Sequence, residues 1–92
     1  MAQVVITIKI MPSSPETDLD VLEAKVLEKI KSFTGETQTK KSIEPIAFGL
    51  KALSIIFVSD EAKGSLDEMI DEINAFDDVN SAEISDVRRA IG

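Results

Sequence analysis

The stretch Glu44-Pro45-Ile46-Ala47-Phe48-Gly49-Leu50-Lys51 (residues 44–51) joins two segments that each read as a strand. Before it, residues 37–46 are weakly apolar and carry Lys40, Lys41 and Ser42 in their middle. Such a charged strand belongs at a sheet edge, where it discourages edge-to-edge association; Pro45 fits there because an edge can spare an N–H. After it, Leu50 to Val58 places Leu53, Ile55 and Phe57 on one face and Ala52, Ile56 and Val58 on the other. A segment apolar on both faces belongs in the centre of a sheet. The turn itself is unusual. Hairpin tips favour polar residues with suitable backbone angles, whereas this one holds Ile46 and Phe48. Phe48 either folds back over the sheet end to close the core or projects toward something outside the chain. Residue type alone favours the first.

Helical patterns flank this pair of strands. Upstream, Val4, Ile6, Ile8 and Ile10 alternate with Val5, Thr7, Lys9 and Met11, a period of two that predicts a first strand buried on one face. Pro12, Ser13, Ser14 and Pro15 break that pattern with a loop. Leu19, Leu22, Val26, Ile30 and Phe33 then form one apolar stripe on a helix. Asp18 or Thr17 can cap its start, Asp20 and Glu23 suit the positive end of its dipole, and Gly35 ends it. Downstream, a charged loop over residues 59–64 leads into Ser65-Leu66-Asp67-Glu68, which matches a capping box. The helix it opens carries Leu66, Met69, Ile70, Ile73 and Phe76, and a last strand after Asp77 and Asp78 holds Val79, Ala82, Ile84 and Val87.

The order strand, helix, strand, strand, helix, strand predicts an α+β fold. It is the ferredoxin-like βαββαβ sandwich, a four-stranded antiparallel sheet with two helices on one face. Right-handed crossovers put the first and third strands in the centre. The third strand, about nine residues long, spans roughly 30 Å. Phe48 and the C-terminal arginines are therefore expected at opposite ends of the sheet.

Composition narrows the chemistry. The 92 residues are expected to form a single domain, 1–92, able to bury roughly 60–65% of its unfolded surface. No apolar run approaches the ~20 residues that span a bilayer, and no secretion signal is read at the N-terminus, so a cytoplasmic setting is expected. There are no cysteines and no histidines, which removes disulfides, the usual zinc and copper sites, and Ser-His or Cys-His nucleophiles. No catalytic residue, metal site or cofactor is expected. A net charge of −7 opposes binding to phosphate backbones or anionic membranes, and the absence of Tyr and Trp removes two base-stacking platforms.

Against that acidic background the run Ser85-Asp86-Val87-Arg88-Arg89-Ala90-Ile91-Gly92 stands out. Arginine suits bidentate recognition of carboxylate or phosphate. Successive strand residues face opposite ways, so Arg88 and Arg89 cannot share one target while the strand continues. Taken alone, both read as solvated charges that keep an edge soluble. The acidic residues Asp67, Glu68, Asp71, Glu72, Asp77 and Asp78 lie along a helix and beyond its end, without the alternating loop ligands of a calcium site, and read as a solvated face. Lys40 and Lys41 read as edge protection. Gly49 and Gly64 are isolated, so no phosphate-cradling glycine loop is present.

Taken together, Pro45-Ile46-Ala47-Phe48-Gly49-Leu50-Lys51, Ser65-Leu66-Asp67, Asp86-Val87-Arg88-Arg89 and the N-terminal Val-Ile-Thr-Ile-Lys-Ile-Met-Pro of residues 5–12 resemble the translation elongation factor 1-beta family, most closely its short archaeal form. The resemblance covers essentially the whole chain and implies a guanine-nucleotide exchange factor that promotes GDP release from the elongation factor 1-alpha GTPase. It implies that Phe48, flanked by Pro45, Ile46 and Gly49, enters a pocket on that partner. It also implies that a cation near the C-terminus reaches the partner's magnesium and phosphate region, a place that falls on Arg89, with Arg88 beside it. This sequence departs from the eukaryotic pattern in having arginine for lysine there, followed by three residues. No direct nucleic-acid or membrane contact is implied. The alternative is a ferredoxin-like module that binds small molecules or pairs edges into dimers without exchange activity. An acylphosphatase is disfavoured because the loop Met11–Pro15 has no basic residue, and an RNA-binding domain by charge and missing sheet aromatics.

Overall fold

Alternation in the first twelve residues does produce a strand, β1 (Gln3–Pro12), with Ile6, Ile8 and Ile10 buried and their neighbours more open. The computed structural model describes residues 3–35, 38–46, 49–60 and 66–89. After β1 come α1 (Leu19–Thr34), β2 (Thr39–Pro45), β3 (Lys51–Asp60), α2 (Asp67–Asn74) and β4 (Val79–Arg89). Every pairing is antiparallel and the spatial order is β2-β3-β1-β4. Strands one and three are central, as the right-handed crossover rule requires. This is the ferredoxin-like α+β sandwich.

The register explains the core. Ile6, Ile8 and Ile10 lie opposite Phe57, Ile55 and Leu53, and these six side chains are almost wholly removed from water. Leu22, Val26 and Ile30 of α1 and Met69 and Ile73 of α2 close over them to form one cluster. Each such side chain contributes roughly 1.5–3 kcal/mol by leaving water. Between the helices, Phe76 lies under the ammonium groups of Lys25 and Lys29, whose Nζ atoms stand 5.6 and 6.0 Å from its ring centre.

Helix α1 begins and ends where its sequence directs. The Asp18 carboxylate accepts from the N–H groups of Asp20 (3.0 Å) and Val21 (3.4 Å), so Asp18 rather than Thr17 is the cap. Gly35 terminates it at a φ of 80°, a backbone angle that favours glycine. Helix α2 starts differently: Leu66 occupies its cap position without a side-chain hydrogen bond. Ser65, expected to cap this helix, lies outside the described residues.

Strand β4 departs from simple alternation. Val79, Ala82, Ile84 and Val87 are spaced three, two and three apart, yet they lie opposite Pro12, Ile10, Ile8 and Ile6. All four therefore face the helices. Two register shifts make this possible, one at Thr7/Ile8 and one at Met11/Pro12, leaving Ser85 and Asn80 as the extra residues. Asn74 then covers part of the outer edge of β4. Its side-chain amide donates to the Ala82 carbonyl (3.1 Å) and accepts from the Ala82 N–H (2.8 Å), taking the place of a missing neighbour strand.

Candidate functional site

Two ends of the sheet hold the residues singled out by sequence. Pro45 pairs with Lys51 at one end, and the Ile46 N–H donates to the Leu50 carbonyl at 2.7 Å, closing the turn between β2 and β3. Gly49 follows the tip at a φ of 77°, with open space where a Cβ would stand. Its role is thus conformational, since an L side chain would be strained there whatever the room. Pro45 and Gly49 are exposed and Ile46 is half-buried. Phe48 and Ala47 lie outside the described residues. Beside this turn, the β1–α1 loop (Pro12, Ser14, Thr17) and Gly49 and Lys51 border an open hollow of about 410 Å³.

At the far end β4 carries Arg88 opposite Val5 and Arg89 opposite Val4. The two arginines face opposite sides of the sheet, as the strand period demands. Arg88 lies on the face without helices, and its Nε stands 2.8 Å from an Asp86 carboxylate oxygen two residues back on that face. Arg89 shares its face with Val4 and Val87. Pro45 and Arg89 are thus separated by nearly the length of a ten-residue strand, and the longest dimension of the molecule is 42 Å against 22 and 18 Å. The sheet brings neither end to the other. It holds them apart.

Lys41 corrects one sequence expectation. Lys40 lies opposite Ile56 on the face without helices and serves the exposed edge, whereas Lys41 lies opposite buried Ile55, on the side of the helices. Its ammonium reaches back to Glu23 (3.1 Å) and Asp20 (3.4 Å) of α1. It therefore ties the edge strand to the first turns of that helix. The hydrogen bond that Lys41 donates to the Glu23 carboxylate is the main reason its proton is held more tightly than the usual lysine value of 10.5, with the Glu23 and Asp20 charges adding to it. The signal lay in the alternation of β2: an odd-numbered lysine shares the parity of Ile43, on the covered side.

The acidic residues of α2 stay on the surface, and two of the acidic set hold α1 by ion pairs: Glu72 with Lys29 (3.5 Å) and Asp78 with Lys25 (3.2 Å). Two features were not singled out from sequence, the bulges of β4 and the edge cover provided by Asn74. The uneven spacing of the β4 apolar residues carried the first; nothing in the sequence pointed to the second. No helix among the described residues is long and apolar enough to cross a membrane.

A family model described as the EF-1 guanine nucleotide exchange domain matches residues 5–90. The chain belongs to this family. It is 39% identical over 89 residues to the elongation factor 1-beta of Methanothermobacter thermautotrophicus, an alignment covering 97% of this chain and 98% of the relative. It is 43% identical over 82 residues to that of Nanoarchaeum equitans, covering 89% and 99%. Full-length archaeal relatives of one kind, together with the exchange-domain match, establish a guanine-nucleotide exchange factor of translation elongation. Solved structures agree on the fold alone. A de novo designed protein, Foldit4, superposes with a TM-score of 0.62 at 17% identity over 98% of both chains. BlrP1 BLUF superposes at 0.57 with 11% identity, over all of this chain and 57% of the other.

Proposed function

We propose that residues 1–92 act as one exchange domain in the cytoplasm, docking on elongation factor 1-alpha through two separated patches and loosening its bound GDP. In this reading Phe48, supported by Pro45, Ile46 and Gly49, is an apolar anchor that fixes where the protein sits. Arg88 and Arg89 form the cationic end, and Arg89 enters the region where the partner holds magnesium and phosphate. A cation there competes with magnesium for the phosphate oxygens and weakens the hold on the nucleotide. Linkage makes the effect reciprocal: bound nucleotide expels the factor by the same free energy. No group on this chain forms or breaks a covalent bond in that sequence of events, and no cofactor, nucleic acid or membrane takes part.

The observation that carries this reading is the register of the sheet. Pro45 lies across from Lys51 at one end of β3, and Arg89 lies across from Val4 near the other end of β1. A well-packed core between them makes a stiff spacer, so docking at one end sets the position of the other. A buried aromatic anchor is worth on the order of 2 kcal/mol or more. The test is release of labelled GDP from elongation factor 1-alpha with the parent protein, Phe48→Ala and Arg89→Ala. Phe48→Ala is expected to raise the concentration needed for half-maximal release on the order of 30-fold. Arg89→Ala is expected to lower the maximal rate. Release rates that do not change with saturating parent protein would reject the reading.

A further inference from the structure

Among the large apolar side chains described, Val87 is the most exposed, at 52%. Core packing accounts for the other apolar residues of β4: Val79 and Ala82 are buried and Ile84 is half-buried against the cluster. It does not account for Val87, although the bulge at Ser85 keeps this residue on the helix face opposite Ile6. Val87 borders a hollow of about 250 Å³, also lined by Val4, Ile6, Phe33, Leu66 and Asp60. That volume falls below the usual range of roughly 300–1,000 Å³ for small-molecule sites and suits an inserted side chain better than a cofactor. Arg89 lies two residues along the same face, opposite Val4, a spacing of about 6.8 Å in an antiparallel strand. An arginine cannot enter a partner without bringing that partner's surface over a neighbour so near.

We propose that this hollow is a second apolar seat for the GTPase, receiving a protruding apolar side chain from the rim of the site that Arg89 enters. The inference rests on the assignment of Arg89 made above. The seat orients the cationic end: burial of Val87, Phe33 and Leu66 favours one approach angle, and the bulge keeps valine and arginine pointing into the same contact.

The test titrates parent protein, Val87→Ser, Val87→Ile, Val21→Ser and Arg89→Ala against elongation factor 1-alpha loaded with labelled GDP. Val21 is a control for exposed apolar surface outside this hollow, because it is 49% exposed and does not line it. Val87→Ser is expected to raise the half-maximal concentration about fivefold while the plateau rate holds, from the apolar area it no longer buries. Val87→Ile recovers most of that loss, and Val21→Ser behaves as parent. Equal denaturation midpoints for parent and Val87→Ser keep a folding defect out of the comparison. A Val87→Ser curve that superimposes on parent, while Arg89→Ala still lowers the plateau, overturns the seat and leaves the exchange reading standing. If Arg89→Ala and Phe48→Ala are also silent, both readings fall. Sedimentation showing a parent dimer that Val87→Ser dissociates, with exchange unchanged, assigns the hollow to a second copy and overturns the proposal. Loss of the Val87→Ser effect in a chain lacking residues 90–92 assigns it to the chain's own C-terminus and does the same.

Discussion

At one end of the sheet a turn is closed by its own backbone, with Ile46 donating to Leu50 and Gly49 at a positive φ. At the other end, β4 leaves Val87 half in water beside Phe33 and Leu66, with Arg88 79% exposed. The first end is shaped locally. Its conformation follows from a few consecutive residues and one glycine, and neighbouring strands only hold it in place. The second end is shaped by pairing: which way Val87, Arg88 and Arg89 face depends on how β4 counts its residues against β1. A patch made by a turn tolerates changes elsewhere in the sheet, whereas a patch made by register is sensitive to anything that shifts the ladder.

The largest expected effect falls on the core that lies between the two ends. Phe57 is fully buried and lies between Ile6 and Thr39 in the ladder. Phe57→Ala should cost about 3–5 kcal/mol and lower the melting temperature on the order of 20 °C. Exchange at temperatures where the variant stays folded should keep most of its rate, because neither patch is touched. A rate that collapses while the far-ultraviolet spectrum is native would show that stiffness between the ends matters beyond stability. Next in size is the contrast between Phe48→Ala and Arg89→Ala, the one shifting half-saturation and the other the plateau. Identical kinetic signatures would erase the division of labour between the two ends.

A smaller effect sharpens the register side. Asn74→Ala removes both hydrogen bonds to Ala82 and should cost about 1–2 kcal/mol, moderated by water at the open edge. Amide exchange of β4 should accelerate around Ala82 and much less around Ser42 in β2. Asn74→Asp, which keeps the acceptor and loses the donor, should fall between. Uniform acceleration across the sheet would mean that β4 has no separate edge to protect.

The smallest effect is a pH dependence. The proton on Lys41 is held more tightly in the folded chain than its ordinary value of 10.5, mainly by Glu23. A raised folded value means the stabilisation is fully present below the unfolded pKa and is lost as pH rises through the folded one. Parent and Lys41→Met should therefore keep a constant difference in melting temperature from neutral pH to about 9 and converge above 10.5. The pair is solvent-exposed, so the difference should be small and should shrink with added salt. A difference that widens at high pH would contradict the assignment.

Much of this architecture is legible in single residues. Ile6, Ile8 and Ile10 announce a one-sided strand, the stripe from Leu19 to Phe33 announces α1, and the two-sided apolar run from Ala52 to Val58 announces a central strand. Asp18 and Gly35 mark the ends of α1 because their chemistry is local: a carboxylate beside free N–H groups, and a residue without a Cβ. Lys41, Asn74 and Val87 are different. Each is defined by a group distant in sequence, namely Glu23, Ala82 and the hollow beside Phe33.

The chain alone therefore determined the order of elements, which faces are apolar, that β2 is an edge, and that the turn and the arginines belong to opposite ends. Those properties follow from periodicity and from the handedness of crossovers, both carried by short stretches. Only the tertiary structure decided that β4 bulges at Asn80 and Ser85, that Lys41 holds a helix, and that Arg89 rather than Arg88 shares the helix face with Val87. Register is a relation between two strands, and its value is set by which pairing buries the most apolar surface.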